Sequence, residues 1–325
     1  MLAYVIRRLL VSIVVLFFAT IFVFLLVASS GNPLALLKAN PHIPQSTIIA
    51  RENLLHLNDP LWQRYWIWFS NAIRGNLGTT ISGQNVWSEA SSHLLVTLRM
   101  VVIATIIAIV LAITAGVVAA VRQNRFADHA ITVSNFLLLA TPVFVIGLAL
   151  KEFVAIPVNQ HVGTTLFYTD GEQSPTLSGS FLSRLPDYAE HTILPVLTLI
   201  LVSYSAWAIY QRSSMIETLD ADHVRLARAK GLSPRRVLIR HVLRNALIPV
   251  TTVVALDFAA VLGGAIITEI VFGWQGLGQW YLSGVTNLDV NVMLAYLLIT
   301  ATFVILFNLV ADILYAFLDP RIRYG

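Results

Sequence analysis

The 325-residue chain has no cysteine, and it has little charge: Asp, Glu, Lys and Arg make up 12% of it, against 57% apolar residues. Without cysteine there are no disulfides and no thiolate metal sites. A soluble domain carries about 25% charged residues, so a soluble fold of this composition could not cover its apolar surface. A bilayer removes that requirement. The phosphate-binding loop of nucleotide hydrolases is also missing. It needs Gly-x-x-x-x-Gly-Lys followed by Ser or Thr, and none of Lys38, Lys151 and Lys230 stands in that frame. The chain therefore does not bind ATP through a P-loop. It contains neither His-Glu-x-x-His nor Gly-x-Ser-x-Gly, so no motif supports an intramembrane hydrolase. Internal repeats and low-complexity tracts are absent as well.

What the chain does have is long apolar runs. A helix crossing the hydrocarbon needs about 20 such residues. Leu9–Ser30, Met100–Val121, Ala130–Leu150, Thr192–Tyr210 and Asn291–Ala311 meet or approach this without an internal charge, and Ala246–Thr268 does so apart from Asp257. Every backbone polar group inside lipid must be bonded within its own element, so repeated long runs mean helices. The expected fold is an all-α integral membrane protein of about six transmembrane helices. The first run follows Arg7 and Arg8 and ends in Ala28-Ser29-Ser30, features shared with signal peptides, but it exceeds the usual apolar region of about 7–15 residues. It is read as helix 1. The expected organisation is a helix over 1–30, a segment with an interfacial helix over 31–98, and a core domain over 99–325.

Orientation follows the basic residues, which concentrate on the cytoplasmic side. Arg7, Arg8, Arg122, Arg125, the cluster from Arg212 to Arg244, Arg321 and Arg323 fall on one side. The other side has longer segments with few basic residues, and 272–290 has none. Both termini are thus expected in the cytoplasm. In the first outward segment Leu61, Tyr65, Trp68 and Ala72 share a helical face, flanked by Trp62, Trp66 and Phe69. Such a helix can rest among headgroups or serve as a platform for an external partner. The second outward segment, 152–190, reads as loop. Asp257 can act as a proton relay, as in secondary transporters, or pair with a polar neighbour in the bundle.

The segment Gln211–Asn245 is the most informative. A short helix is expected from Asp222 to Lys230, with Asp220 or Asp222 as its cap. Arg228 and Lys230 suit its C-terminal dipole, and Gly231 a left-handed termination. Ser233 then caps a second helix with Pro234 at its first position, running toward Ile248 and Pro249. Arg236, Arg240 and Arg244 form an i, i+4 stripe on it, with Leu238, Val242 and Leu243 turned away. On the first helix Leu226, Ala227 and Ala229, with Gly231, make a small surface suited to a partner's groove. An ordinary basic loop that fixes topology and meets anionic lipid explains the same charges, and the residues alone leave both readings open. Nucleic acid is not an expected partner, since no base-reading residues accompany the basic loop.

The run Val224-Arg225-Leu226-Ala227-Arg228-Ala229-Lys230-Gly231-Leu232-Ser233, continued by Arg240-His241 and Leu243–Pro249, resembles the EAA loop of ABC importer permeases, and it is most similar to the dipeptide/oligopeptide branch. Further matching features follow in order along the whole chain. They are Arg7-Arg8-Leu9, Gly31-Asn32-Pro33, Asp59-Pro60-Leu61, Arg74-Gly75-Asn76-Leu77-Gly78, Gly263-Gly264-Ala265, Thr268-Glu269, Val271–Gly278, Asn308-Leu309, Asp312 and Leu318–Arg323. The set is specific taken together. It resembles the first of the two permeases usually paired in these systems.

The resemblance implies the type I importer permease fold in a bacterial inner membrane. It implies a second permease as heterodimer partner, cytoplasmic ABC ATPases that bind ATP and Mg, and an extracytoplasmic peptide-binding protein. Asp222–Ser233 would be the coupling loop on the ATPase. Glu269, Phe272, Trp274, Gln275, Gly276 and Gly278 would form a gate or re-entrant segment. The permease itself would not be an enzyme. The family often has Pro where Gln275 stands and Asp where Asn32 stands, and the initial Glu of the loop pattern is absent here. Importers of nickel, glutathione and other small solutes share the architecture. A stand-alone secondary transporter and a non-transport scaffold are the readings from other classes.

Overall fold

The structure is a computed structural model and describes residues 2–174 and 181–318. The family-like end at Asp319-Pro320-Arg321-Ile322-Arg323 lies outside the described residues. The helices in order are α1 (Leu2–Ser30), α2 (Ala35–Ala39), α3 (Gln45–Leu54), α4 (Leu61–Ile73), α5 (Val86–Val121), α6 (Phe126–Ala140), α7 (Val143–Ala149), α8 (Ile156–Val162), α9 (Phe181–Leu219), α10 (Asp222–Ala229), α11 (Pro234–Arg236), α12 (Arg244–Val271), α13 (Leu277–Thr286) and α14 (Val290–Leu318). A π-helical turn, Leu150–Ala155, joins α7 to α8, and another, Val237–Leu243, joins α11 to α12. Among the described residues the only strand-like pairing is a single bridge between Thr79 and Asn85.

Six helical stretches among the described residues are long and apolar enough to cross a membrane: Leu10–Ser30, Val86–Val121, Val143–Val162, Ser183–Leu219, Pro234–Phe258 and Val290–Val310. The expected third span, Ala130–Leu150, is not one helix. Pro142 disfavours helical dihedrals at the residue before it, and Thr141 is extended (φ −88°, ψ 124°). Helix α6 therefore stops at Ala140, and the long stretch begins at Val143. The expected loop 152–190 is also corrected. Apolar Phe153, Val154 and Ile156 carry the helix on to Val162, where Gly163 ends it at φ +74°. On the other side α9 already begins at Phe181, with Pro186 and Pro195 inside it.

The chain forms two compact units, one ending at Thr97 and taking in Gln275–Ile305, the other comprising Leu98–Trp274 and the chain from Leu306. In the first, α4 packs on α1: Tyr65 and Trp68 are buried with Phe24 and Leu294, and the Thr20 and Tyr65 hydroxyls are hydrogen-bonded at 3.0 Å. Trp62 and Trp66 remain exposed, so α4 has one face in the protein and one face out, as its apolar pattern requires. A second core joins Leu77, Val86, Leu277, Trp280 and Val292. In the second unit α9 and α12 pack along one another. Gly116 of α5 allows a close approach to α9: a Cβ there would stand 2.6 Å from Gln211 Cβ and 3.0 Å from the Arg212 backbone nitrogen.

Candidate functional site

Helix α10 forms where the sequence places it, and its two faces are sharply different. Val224 and Ala227, three residues apart, are buried in a core with Ala120, Met215, Val237, Val242 and Ala246. The opposite stripe, Asp222, Arg225, Leu226 and Ala229, is exposed, Leu226 to 57%. Ala227 is therefore not part of the approachable surface. The 3.6-residue period sets it on the same side as Val224, and that side is the anchor.

The expected cap is also corrected. Ala221, extended at φ −69° and ψ 146°, is the N-cap, and no side chain caps the helix. Asp222 is already the first helical residue. Its carboxylate sits at the positive end of the helix dipole and 3.6 Å from Arg225, both exposed. At the other end Lys230 is the C-cap and Gly231 takes φ +74°. The Leu232 N–H reaches back to Ala227 O at 3.4 Å and the Gly231 N–H to Arg228 O at 2.9 Å, which satisfies carbonyls the helix leaves open. Ser233 is extended and Pro234 opens α11.

The second helix of the loop is not separate from the membrane span. Chain 234–271 is helical throughout, through the π turn Val237–Leu243, with Pro249 inside α12. Arg236, Arg240 and Arg244 are exposed and Val237 and Val242 buried, so the expected amphipathicity holds across the π turn. Two further residues fix α10 to this run. Asn245 Nδ2 donates to His223 Nε2 (2.9 Å) and to His241 O (3.1 Å). No periodic signal marks this contact, which joins positions 22 apart.

The residues expected at a gate fall in both units. In the second unit Glu269, Phe272 and Trp274 are buried. The end of α12 is held by three backbone contacts. Lys151 Nζ donates to Val271 O (2.9 Å) and lies over the Phe272 ring. The Gly171 N–H donates to Phe272 O (2.9 Å), and the Trp274 N–H to Glu269 O (2.8 Å). Lys151, one residue beyond the expected run Ala130–Leu150, thus sits at the negative end of the α12 dipole. In the first unit Gln275 is exposed, and its carbonyl accepts from His93 Nδ1 (2.6 Å). Buried Gly276 and Gly278 begin α13. The Leu277 N–H donates to Thr97 Oγ1 (2.7 Å) and Trp280 Nε1 to Glu89 Oε2 (2.9 Å).

Two further polar contacts join helices of the second unit. Asp257 accepts from Trp207 Nε1 (2.9 Å), a polar neighbour of the kind its position in an apolar helix requires. Asp128, at the start of α6, takes both Arg212 Nε (2.6 Å) and Arg212 Nη2 (2.8 Å). The guanidinium bonds hold the Asp128 carboxyl down at about 2, against the opposing effect of its burial.

The chain is thus a multi-pass helical protein with a short helix, α10, anchored through one face and exposed on the other. The chain belongs to the family described as binding-protein-dependent transport system inner membrane component: that model matches residues 112–324, and the family's N-terminal model matches residues 1–86. It is 40% identical to the oligopeptide transport system permease protein OppB of Mycobacterium bovis over 98% of both chains. It is 37% identical to the oligopeptide transport system permease protein AppB of Bacillus subtilis, and 35% identical to the glutathione transport system permease protein GsiC of Escherichia coli K12, over the full length of each. Its fold is similar to a chain of the inward-facing MetNI methionine ABC transporter, with a TM-score of 0.54 and 16% identity over 70% of this chain and 95% of that one. It is accordingly an ABC transporter permease subunit of a bacterial inner membrane.

Proposed function

We propose that this chain forms one half of the pathway of an ATP-driven importer of short peptides. A second permease supplies the other half, and an extracytoplasmic peptide-binding protein delivers the substrate. Cytoplasmic ABC ATPases, which bind ATP and Mg, dock on α10. The observation that carries the reading is the two-faced α10: an exposed Asp222–Arg225–Leu226–Ala229 stripe on a helix anchored through Val224 and Ala227. A push on the stripe would pass through that core to α9 and α12, whose movement would alternate access. In this scheme Glu269, Phe272 and Trp274 close the far end of α12, with Gln275, Gly276 and Gly278 leading into α13. Arg225, Arg228, Lys230, Gly231, Leu232 and Ser233 complete the docking loop.

The peptide assignment is supported by relatives named for oligopeptide and dipeptide transport at 33–40% identity. Glutathione import is the second reading, supported by the full-length relative at 35%. Uptake of labelled tetrapeptide, glutathione and nickel in deleted and complemented cells separates these. Tetrapeptide uptake that falls on deletion, returns with the gene and stops on ATP depletion is the expected result. Dependence of glutathione or nickel alone would leave the architecture standing and replace the substrate.

A further inference from the structure

From Gly163 to Ser174 the chain of the second unit is neither helix nor strand, and every residue of 164–174 is exposed or half-buried. Without a regular ladder its backbone groups need other partners, and neighbouring helices supply them. Asn159 of α8 accepts at Oδ1 from the Leu166 N–H (2.9 Å) and the Phe167 N–H (3.0 Å), and its Nδ2 donates to Phe167 O (2.8 Å). Buried Asp187 of α9 accepts from Ser174 Oγ (2.6 Å) and from the Ser174 N–H (2.9 Å). Tyr188 of α9 donates to Gln173 Oε1 (2.7 Å). The Tyr168 ring stacks on buried His191 at 3.9 Å, and Arg99 of α5 pairs with Glu172 (3.3 Å). The stretch 164–174 is therefore a strap, fastened near both ends to α5, α8 and α9.

The middle of the strap meets the end of α12. The Gly171 N–H donates to Phe272 O (2.9 Å), and a Cβ built on Gly273 would stand 2.9 Å from Asp170 Cγ. The last carbonyls of a helix need donors from outside it, and the strap supplies one. Lys151 supplies another to Val271 O, but on a flexible four-carbon stem that can follow α12 when the helix shifts. The strap cannot follow, because its own backbone is fastened to other helices. A shift of the α12 end relative to α9 therefore breaks the Gly171–Phe272 bond and leaves the strap in place. Contacts that open in function come from weakly held parts of a structure, and the strap has no buried residue of its own.

We propose that the strap is the fixed half of a latch on the C-terminal end of α12, with the movement of α12 taken from the proposed function. The Gly171–Phe272 and Asp170–Gly273 contacts open and close in each transport cycle. Asn159 and Asp187 are positioning residues: they hold the strap where α12 returns to it.

The chain has no cysteine of its own, so the latch can be bridged selectively. Asp170→Cys/Gly273→Cys brings two Cβ atoms within reach of a disulfide. The complete transporter is reconstituted in proteoliposomes, and bridge formation, ATP hydrolysis and labelled tetrapeptide accumulation are followed. The bridged protein is expected to lose accumulation and to regain it on reduction with dithiothreitol, while each single variant responds to neither oxidant nor reductant. A contact that is only structural would not be affected by the bridge. In the reduced protein ATP should slow bridge formation, because α12 spends time away from the strap. Adding Asn159→Ala should slow it about tenfold, as for one or two lost hydrogen bonds. Asn159→Asp, which keeps an acceptor for both N–H groups, should recover part of the rate. Equal accumulation by bridged and reduced forms would overturn the latch, as would a bridging rate indifferent to ATP. A rate indifferent to Asn159→Ala would overturn the positioning role. Gly273 has φ +60°, so its replacement can prevent assembly. In that event Asn159→Ala alone carries the test: it should accumulate less tetrapeptide per ATP hydrolysed, and a wild-type ratio would overturn the proposal. If no form accumulates tetrapeptide while ATP still slows bridging, the peptide reading fails and the latch is supported.

Discussion

A valine at position 231 would place its Cβ in open space, with no other atom within 4 Å. It would still be strained, because φ is +74° and a left-handed conformation costs an L-residue roughly 1–2 kcal/mol, more with β-branching. Gly231→Val should therefore unsettle the end of α10 without disturbing membrane insertion, while Gly231→Asn should be tolerated. ATP-dependent uptake in the two variants checks this, and undiminished uptake in Gly231→Val would count against the coupling role. Asp128 poses a different problem. Its partner is almost as close as a hydrogen bond allows, and removing one member of a buried pair costs about 3–5 kcal/mol. Asp128→Asn should lower thermal stability in detergent by that order, and Asp128→Asn/Arg212→Gln should cost less than the two single changes added together. The carboxyl's folded pKa of about 2 lies below its ordinary 3.8. The stabilisation is therefore complete above about pH 4 and is lost as pH falls through 2. A melting temperature of the wild type that declines in this window more than that of Asp128→Asn is the expected signature. At Asp257 an asparagine keeps an oxygen for Trp207 Nε1, so Asp257→Asn should retain part of the transport. Complete loss with normal assembly would return the relay reading.

At the scale of elements, the apolar runs were legible because lipid demands them, and the short α10 was legible because its Gly, Ser and Pro punctuation has local causes. The break at Thr141 was written in Pro142, but a continuous apolar run from Ala130 hid it: composition reports burial in lipid, not dihedrals. The Pro, Gly and Ser of 152–190 suggested loop, yet Lys151 and Glu152 sit in a π turn inside a continuing helix, where Lys151 meets the end of α12. That contact joins positions 120 residues apart, and no period in the sequence encodes it. Ala227 was misplaced for a related reason. Small residues suit both a partner's groove and a tight core, and only the helix phase relative to Val237 and Val242 decides. The approach of α5 and α9 at Gly116 gives a prediction at this scale. Gly116→Ala places a methyl against Gln211 and the Arg212 backbone, so it should cost about 1–3 kcal/mol as overpacking. Thermal unfolding of the purified chain measures it, and wild-type stability would show that α9 can yield.

The whole molecule joins helical stretches that fit a bilayer to a short helix, α10, on which the proposed function places an outside motor. The fold class and family-like motifs were readable end to end, because spans, caps and glycine turns are local. The hold of Asn159 and Asp187 on the strap 164–174, the Asn245–His223 contact and the Asp128–Arg212 pair were not, because each depends on which segments meet. The central claim, that α10 couples ATP hydrolysis to peptide movement, is tested most directly in proteoliposomes holding the full transporter. ATP hydrolysis and labelled tetrapeptide accumulation are measured together for the wild type and Gly231→Val. The account predicts coupled hydrolysis and accumulation in the wild type, and hydrolysis without accumulation in the variant. Accumulation that proceeds equally in both, or that follows a proton gradient without ATP, would contradict it.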